Sequence, residues 1–205
     1  KEVMLTGNKI PYSEASFITD LEKIKNVITS ISHIDILSSN LENLLYQART
    51  FGFSLMTLDI RQHSDVHADA IREILNMSSL NIDYLELIEE ERCNILMSII
   101  QSERKVLDED LTKYSGMTQE LIHTFHVISA ELKIDPKAIQ SYIISMTHSE
   151  SDLLEVFYLA FETGLLISYN GDLSLSLDVV PLFETIEDLE NSYMLMDKIL
   201  SISLI

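Results

Sequence analysis

Two charged residues that follow apolar runs are the first candidates for chemistry. Arg61 follows FGFSLMTLDI, and its guanidinium offers a planar fork of donors that matches phosphate or carboxylate. Glu184 follows VVPLF, and its carboxylate oxygens suit magnesium or manganese. Each residue has a structural alternative. Arg61 could pair with Asp59 on the same strand face, and Glu184 could be a carboxylate favoured at the start of a helix. The residues alone favour these alternatives.

The histidines and the single cysteine indicate no further catalytic centre. His63 and His67 have i, i+4 spacing, but the glutamate of a zincin motif does not follow the first histidine, so a surface cluster at a helix start is favoured. His123 and His126 are also interpreted as surface residues of a helix. Cys93 lies in a helical pattern and is predicted to be a buried, inert thiol. One cysteine cannot form an internal disulfide.

A strand predicted over residues 53–60 would hold Arg61 at its C-terminal end. Its apolar run is nearly continuous, which indicates a strand covered on both faces. Helices are predicted around this strand from the 3.6-residue spacing of apolar side chains. The first helix begins at Ser13, and its apolar stripe reaches Ile31. The second covers about 38–50, and the third runs from Ser64 or Asp65 to about Met77.

Residues 79–136 are predicted to form a helical insertion. Its helices cover about 82–107 and 118–132, with a break at 114–116. In the first helix the glutamates are predicted to form a solvated outer face rather than a metal site. The inner face would contain Leu85, Ile88, Ile95, Leu96, Ile99 and Ile100, and the outer face Glu86, Glu89, Glu90 and Glu91.

Two further strands are predicted at 139–146 and 177–183, each followed by a helix. Ser149 and Asp152 have the spacing of a capping box, and Gly164 would end that helix. Asn170-Gly171-Asp172 is a turn signal. Pro181 removes a ladder donor, so it is predicted to be a bulge or the last paired residue of its strand. The last helix would begin after Thr185 and end near Ile202.

Strands that alternate with helices favour parallel pairing in an α/β fold that is predominantly helical. In (β/α) barrels the chemistry gathers at the C-terminal ends of the strands. Those ends carry Arg61, Thr147 with His148, and Glu184. These residues are therefore the candidates that stand at the C-terminal ends of the predicted strands.

The composition narrows the class of protein. The 205 residues are 46% hydrophobic, with only 5 Gly and 3 Pro, which is typical of a folded domain or a piece of a larger one. The net charge of -19 argues against nucleic-acid binding and disfavours anionic substrates unless local cations override it. No apolar run is long enough to cross a bilayer, and a soluble cytoplasmic protein is the favoured interpretation.

Three stretches of the chain resemble phosphoenolpyruvate carboxylase in order and spacing. FGFSLMTLDIRQHSDVHADAIREIL resembles that family's FG-x-x-L-x-x-LD-[IV]-RQ-ES-x-x-H segment. SYIISMTHSESDLLEV is similar to YVISM-x-x-x-x-SD-[VL]-L, and VVPLFETIEDLENS to VVPLFET-x-x-DL. PYSEASFITDLEKI also resembles the stretch before the first motif. The likeness covers nearly the whole chain and is weakest over about 80–134.

The resemblance implies part of a (β/α)8 TIM-type barrel with large helical insertions, in a cytoplasmic homotetramer. It implies carboxylation of phosphoenolpyruvate by bicarbonate to oxaloacetate and phosphate, with Mg²⁺ or Mn²⁺ as Lewis acid. Carried over by position, Arg61 is the catalytic arginine that binds the substrate phosphate, and Glu184 is a metal ligand. Gln62 is a further substrate-binding candidate that would orient Arg61 or the substrate. With the resemblance, these functional interpretations are favoured over the structural alternatives.

The sequence also departs from the family. The TAHPTE histidine, the second metal-binding acid of GYSDS and the FHGRGG loop are absent, and His63 replaces the usual glutamate of RQES. We therefore expect a central portion of the enzyme, inactive alone. It divides into a helical lead-in (1–50), a first strand–helix unit (51–78), the insertion (79–136) and two further strand–helix units (137–205). The alternatives are a diverged non-catalytic module that binds an anion or a protein, and another barrel enzyme acting on phosphorylated enols.

Overall fold

A computed structural model describes residues 12–31, 35–53, 56–169 and 172–202. Two compact units, Lys1–Met56 and Thr57–Ile205, divide the chain. The helices are α1 Glu14–Ile31, α2 Asp35–Phe51, α3 Ser64–Met77, α4 Glu89–Gln101, α5 Gly116–Ile134, α6 Glu150–Thr163 and α7 Ile186–Leu200. The strands are β1 Leu58–His63, β2 Ile139–Ser145, β3 Leu166–Tyr169, β4 Asp172–Leu175 and β5 Asp178–Pro181.

The first unit contains the paired helices α1 and α2. Ser13 Oγ accepts the backbone N–H of Ser16 at 3.1 Å, so Ser13 caps α1. The buried side chains between the two helices are Leu21, Leu45 and Ala48. This unit therefore has a small core of its own.

The second unit is built on a three-stranded sheet in the order β1-β2-β5. Both pairs of strands are parallel, which confirms the prediction. Pro181 is the last residue of β5 and lies opposite Ile144, so it ends the pairing as predicted. Because β5 is at an edge of the sheet, the missing N–H of Pro181 costs no ladder hydrogen bond on its outer side.

The first strand differs from its prediction. Residues 53–60 were expected to be a strand covered on both faces, but β1 begins at Leu58 and extends to His63. Phe53, Met56 and Leu58 are 51%, 60% and 50% exposed. The reason is that β1 is an edge strand whose partner β2 begins at Ile139, opposite Leu58. Residues 54 and 55 of the predicted strand lie outside the described residues.

An antiparallel hairpin, β3 with β4, follows α6 and was not predicted. Leu166 pairs with Leu175, and Tyr169 pairs with Asp172. Asn170 and Gly171 of the predicted turn lie outside the described residues. The stretch ISYNGDLSLS mixes apolar and serine residues, so its alternation was not recognised as two short strands.

The core of the second unit is formed mainly by α3, α4, α5 and α6 against the sheet. Helix α6 is its centre, since from Leu153 to Thr163 every side chain but Phe157 is buried. Gly164 ends α6 in the left-handed conformation, with φ of 76°, as its position predicted. None of the described helices is long and apolar enough to span a membrane.

The predicted helix over 82–107 is shorter than expected. A 3-10 turn covers Tyr84–Glu86, and α4 then covers only Glu89–Gln101. Ile88 precedes α4 and is 64% exposed, so its assignment to the inner face was wrong. Glu89 was expected on a solvated face but accepts the N–H and hydroxyl of Ser151 at 2.7 and 2.9 Å, so it supports the start of α6.

Candidate functional site

Arg61 and Glu184 form an ion pair at the C-terminal side of the sheet. Arg61 Nη2 donates to Glu184 Oε1 at 2.6 Å, across a sequence separation of 123 residues. The alternative prediction, that Arg61 pairs with Asp59, was wrong. The long arginine side chain extends across the end of β2 instead of back along β1. The side chains of Arg61 and Glu184 are 56% and 34% exposed, so a dissolved ligand can reach both.

The path of the chain after β5 fixes the position of Glu184. Leu182 N–H donates to the carbonyl of Ile144 at 2.9 Å, and Thr147 N–H donates to the carbonyl of Leu182 at 3.1 Å. These bonds hold the segment after Pro181 against the end of β2, beyond the regular ladder of the two strands. Glu184 is therefore held beside the end of β2, one residue before Thr185 begins the capping of α7.

Met146 is the third contact of this site and was not found from the sequence. Its backbone N–H donates to Glu184 Oε2 at 3.0 Å, and its carbonyl accepts the Ser64 hydroxyl at 2.7 Å. Its φ of 56° is left-handed, which costs a non-glycine residue about 1–2 kcal/mol. Methionine gives no sequence signal for this conformation. The two hydrogen bonds help to hold the backbone in it.

Gln62 and His63 have local roles in the structure. Gln62 Oε1 accepts the backbone N–H of His63 at 2.8 Å, and the carbonyl of Gln62 accepts the Ser145 hydroxyl at 3.2 Å. Neighbouring strand residues point to opposite faces, which separates Gln62 from Arg61. His63, at the position of the family's glutamate, caps α3, since its Nδ1 accepts the N–H of Asp65 at 3.2 Å.

His148 joins the starts of α6 and α7 beside this site. Its Nδ1 lies 2.7 Å from Asp188 Oδ1, and its backbone N–H donates to Asp152 Oδ2 at 2.7 Å. The hydrogen bond to Asp188 raises the pKa of His148 and lowers that of Asp188. Burial raises the pKa of Asp152. The adjoining cleft, of about 400 Å³, is lined by Thr147, His148, Thr185, Glu187, Asp188, Asn191 and Leu195.

His67 is not at the surface, so the prediction of an exposed histidine cluster was wrong for it. It is fully buried, and its Nε2 shares a hydrogen bond of 2.8 Å with the hydroxyl of Tyr142. Burial, and then the nearby His63, lowers its pKa to about 3, so the ring is neutral. Its spacing from Ala70 and Ile71 on the buried face of α3 was the sequence signal for this placement.

Cys93 has the environment of an unreactive thiol. Its Sγ contacts Glu89 Oε1 at 3.5 Å, and burial together with that carboxylate raises the thiol pKa to about 12. At neutral pH almost none of it is thiolate, the form that reacts. Cys93 is partly rather than fully buried. The predicted inertness agrees with this environment.

The metal-ligand atoms at the Arg61–Glu184 pair fit a hard cation only in part. Within the described ranges, no group of three His, Cys, Asp or Glu side chains could hold a metal ion. Glu184 therefore offers one carboxylate. Mg²⁺ is commonly held by one or two carboxylates together with substrate phosphate and water, so a single carboxylate beside an arginine fits part of such a site.

Parallel strands that alternate with helices make this an α/β protein, with an arginine and a carboxylate paired at the C-terminal edge of the sheet, where ligands of open α/β sheets bind. A family model described as phosphoenolpyruvate carboxylase matches residues 2–205. The chain therefore belongs to the phosphoenolpyruvate carboxylase family, which confirms the resemblance of its motifs.

Individual relatives agree with the family match. The chain is 38% identical over 198 residues to a phosphoenolpyruvate carboxylase of Rhodothermus marinus, covering 93% of this chain and 21% of the relative. It is 40% identical over 184 residues to that of Prochlorococcus marinus (strain MIT 9301), covering 89% and 18%. A third, from Prochlorococcus marinus (strain AS9601), is 40% identical over 188 residues, covering 91% and 18%. The chain spans about a fifth of the length of these curated relatives.

Proposed function

We propose that this chain supplies the phosphate-binding side, and one metal ligand, of a phosphoenolpyruvate carboxylase. That enzyme would join bicarbonate to phosphoenolpyruvate and form oxaloacetate and phosphate. The observation that carries the proposal is the convergence of Arg61 and Glu184 from separate strand ends, with 2.6 Å between their side chains. The fold brings together the two residues whose motifs mark the family.

Each residue has a defined role in this proposal. The guanidinium of Arg61 binds the substrate phosphate through paired N–H donors, for which its planar fork is suited. Glu184 supplies one oxygen ligand to Mg²⁺ or Mn²⁺, and the metal provides Lewis-acid stabilisation of negative charge on the substrate. Gln62 stays a candidate for orienting the substrate, although its amide oxygen bonds to the backbone of His63.

The wider architecture is part of the same proposal. The strand order β1-β2-β5, with parallel pairing, supports a segment of a (β/α)8 barrel, whose sites lie at the C-terminal ends of the strands. A homotetramer in the cytoplasm is the assembly that the family resemblance implies. The chain alone is proposed to be inactive, since its sequence contains neither TAHPTE nor GYSDS.

Ligand binding tests the proposal, because binding requires fewer of the enzyme's residues than turnover does. Mn²⁺ relaxes the ³¹P resonance of phosphoenolpyruvate when both are held at one site, and titration of this effect gives an affinity. Arg61→Gln is expected to lose phosphoenolpyruvate binding, and Glu184→Gln is expected to lose the Mn²⁺ effect.

Two matched controls keep the test specific. Arg72→Gln removes an arginine of α3 that pairs with Asp69, and Glu187→Gln removes an exposed glutamate of α7. If Arg61→Gln binds phosphoenolpyruvate as well as Arg72→Gln does, Arg61 is not the phosphate ligand. A coupled assay for oxaloacetate should show no turnover by this chain, and clear turnover would refute its proposed inactivity alone.

A further inference from the structure

The carboxylate of Glu184 is held as an anionic ligand would be held. One oxygen accepts from the guanidinium of Arg61 at 2.6 Å and the other from the backbone N–H of Met146 at 3.0 Å. A guanidinium with a backbone N–H is a common donor set for carboxylate and phosphate oxygens. We propose that Arg61 and Met146 form a two-donor oxyanion subsite, and that Glu184 is its resident competitor.

The geometry of Met146 gives the backbone donor its direction. In an extended strand, successive backbone N–H groups point to opposite sides of the strand. If Met146 continued β2 in that conformation, its N–H would follow this alternation. The left-handed turn at Met146, with φ of 56°, directs the N–H to Glu184 instead. The Ser64 hydroxyl donates to the Met146 carbonyl at 2.7 Å and so holds the peptide group on the other side of the Met146 Cα. The donor is thus part of the backbone, and the hydrogen bond from Ser64 remains when Glu184 turns away.

The competition follows from charge. An oxyanion that bound Arg61 while Glu184 stayed in place would sit within a few ångströms of a carboxylate, and the repulsion would weaken its binding. Glu184 therefore protects Arg61 from small anions, including free phosphate. The subsite becomes available when the Glu184 side chain turns away. This inference rests on the proposed function for its ligand class, a phosphate.

Inorganic phosphate is the probe, measured by ³¹P NMR or calorimetry without divalent cations. Removing one unit charge about 4 Å from a doubly charged anion in water should strengthen its binding about ten-fold or more. Glu184→Ala is therefore expected to bind phosphate at least about ten-fold more tightly than the unsubstituted chain. The isosteric Glu184→Gln should gain less, because its amide oxygen can still accept from Met146.

Two further variants decide whether the gain belongs to the subsite. Glu187→Ala removes the same charge from an exposed glutamate three residues later and should leave phosphate binding nearly unchanged. The double variant Arg61→Ala with Glu184→Ala should lose the gain. In Glu184→Ala the amide resonance of Met146 should move on addition of phosphate, and circular dichroism verifies that each variant is folded.

Either of two results would overturn the inference: a gain in Glu184→Ala no larger than in Glu187→Ala, or a gain that persists without Arg61. The failure of the proposed function looks different. In that case phosphate binding would rise as expected in Glu184→Ala, while Mn²⁺-dependent binding of phosphoenolpyruvate to the unsubstituted chain would be absent or independent of Arg61.

Discussion

Glu155 is a carboxyl group buried in the middle of α6. Its side chain is 0% exposed, and the Tyr84 hydroxyl donates to its Oε1 at 3.0 Å. Its Oε2 has no hydrogen-bond partner among the residues that the structure describes. Burial first, and then the carboxylate of Asp152, raises the pKa of Glu155 well above its usual value, and Glu89 adds to the effect. Glu155 is therefore expected to stay protonated in the folded chain at pH values at which an exposed glutamate is ionised.

The substitution Glu155→Gln keeps the shape of the side chain and removes its titration. A group whose pKa is raised by folding contributes stability that is fully present below its unfolded pKa, 4.5, and is lost as the pH rises through the folded pKa. The slope in that window is about 1.4 kcal/mol per pH unit. The stability of the unsubstituted chain should thus fall relative to Glu155→Gln by that amount per unit.

Urea unfolding followed by far-ultraviolet circular dichroism measures this difference, since the chain has no tryptophan. Curves collected from about pH 5 to about pH 8 cover the window in which the slope is expected. Glu131→Gln changes an exposed glutamate of α5 and is the matched control. Its free energy of unfolding should depend on pH in the same way as that of the unsubstituted chain. If Glu155→Gln also shows this pH dependence, Glu155 is ionised in the folded state and its assignment as a neutral acid is wrong.

Three other substitutions have defined outcomes. Asp188→Asn should lower the pKa of His148 measured by NMR. It should also remove the stability that this histidine adds below its usual pKa of 6.5, which is lost as the pH rises through the raised pKa. An unchanged pKa would contradict the pairing. Tyr142→Phe should cost about 1–3 kcal/mol in urea unfolding, because its buried histidine partner loses a hydrogen bond, and no loss would refute that bond's importance. Gly164→Ala should cost about 1 kcal/mol because of its left-handed backbone, whereas Gly116→Ala, with open space around it, should not; equal effects would count against the strain.

The sequence was a good guide to local structure in the second unit. Ser149 and Thr185 were predicted to precede helices. Thr185 and Asp188 exchange both hydrogen bonds of a capping box, and at Ser149 the Asp152 carboxylate accepts the backbone N–H at 3.0 Å. Gly164 ends α6 as expected. Such signals are read over a few residues, so they do not depend on the rest of the fold. Parallel pairing was also predictable, because it follows from the alternation of strands with helices.

The errors arose where distant segments decide the outcome. The start of β1 depends on where β2 offers a partner, about 80 residues later in the chain. His67 was assigned to a surface cluster at a helix start, although the residues that follow it on the same face of α3 are apolar. Glu155 interrupts an apolar run in α6 and was not singled out, because its burial depends on Tyr84 lying against it.

The candidate site was predicted in part. Arg61 and Glu184 were expected at the C-terminal ends of strands, which the family resemblance implies meet at the mouth of a barrel, and the two side chains do meet. The backbone donor of Met146 could not be foreseen, since a left-handed methionine has no sequence signature. The mutual pairing of the arginine and the glutamate was also unforeseen, as Asp59 was nearer in sequence.

The contact between Arg61 and Glu184 spans 123 residues, so it closes one of the longest loops in the second unit. Bringing such distant residues together has a high entropic cost until the intervening helices have packed. The contact should therefore be a late event in folding. Any ligand that binds across these two residues selects the completely folded unit and stabilises all of it by mass action. Binding at this site thus reports the integrity of the whole chain from β1 to α7.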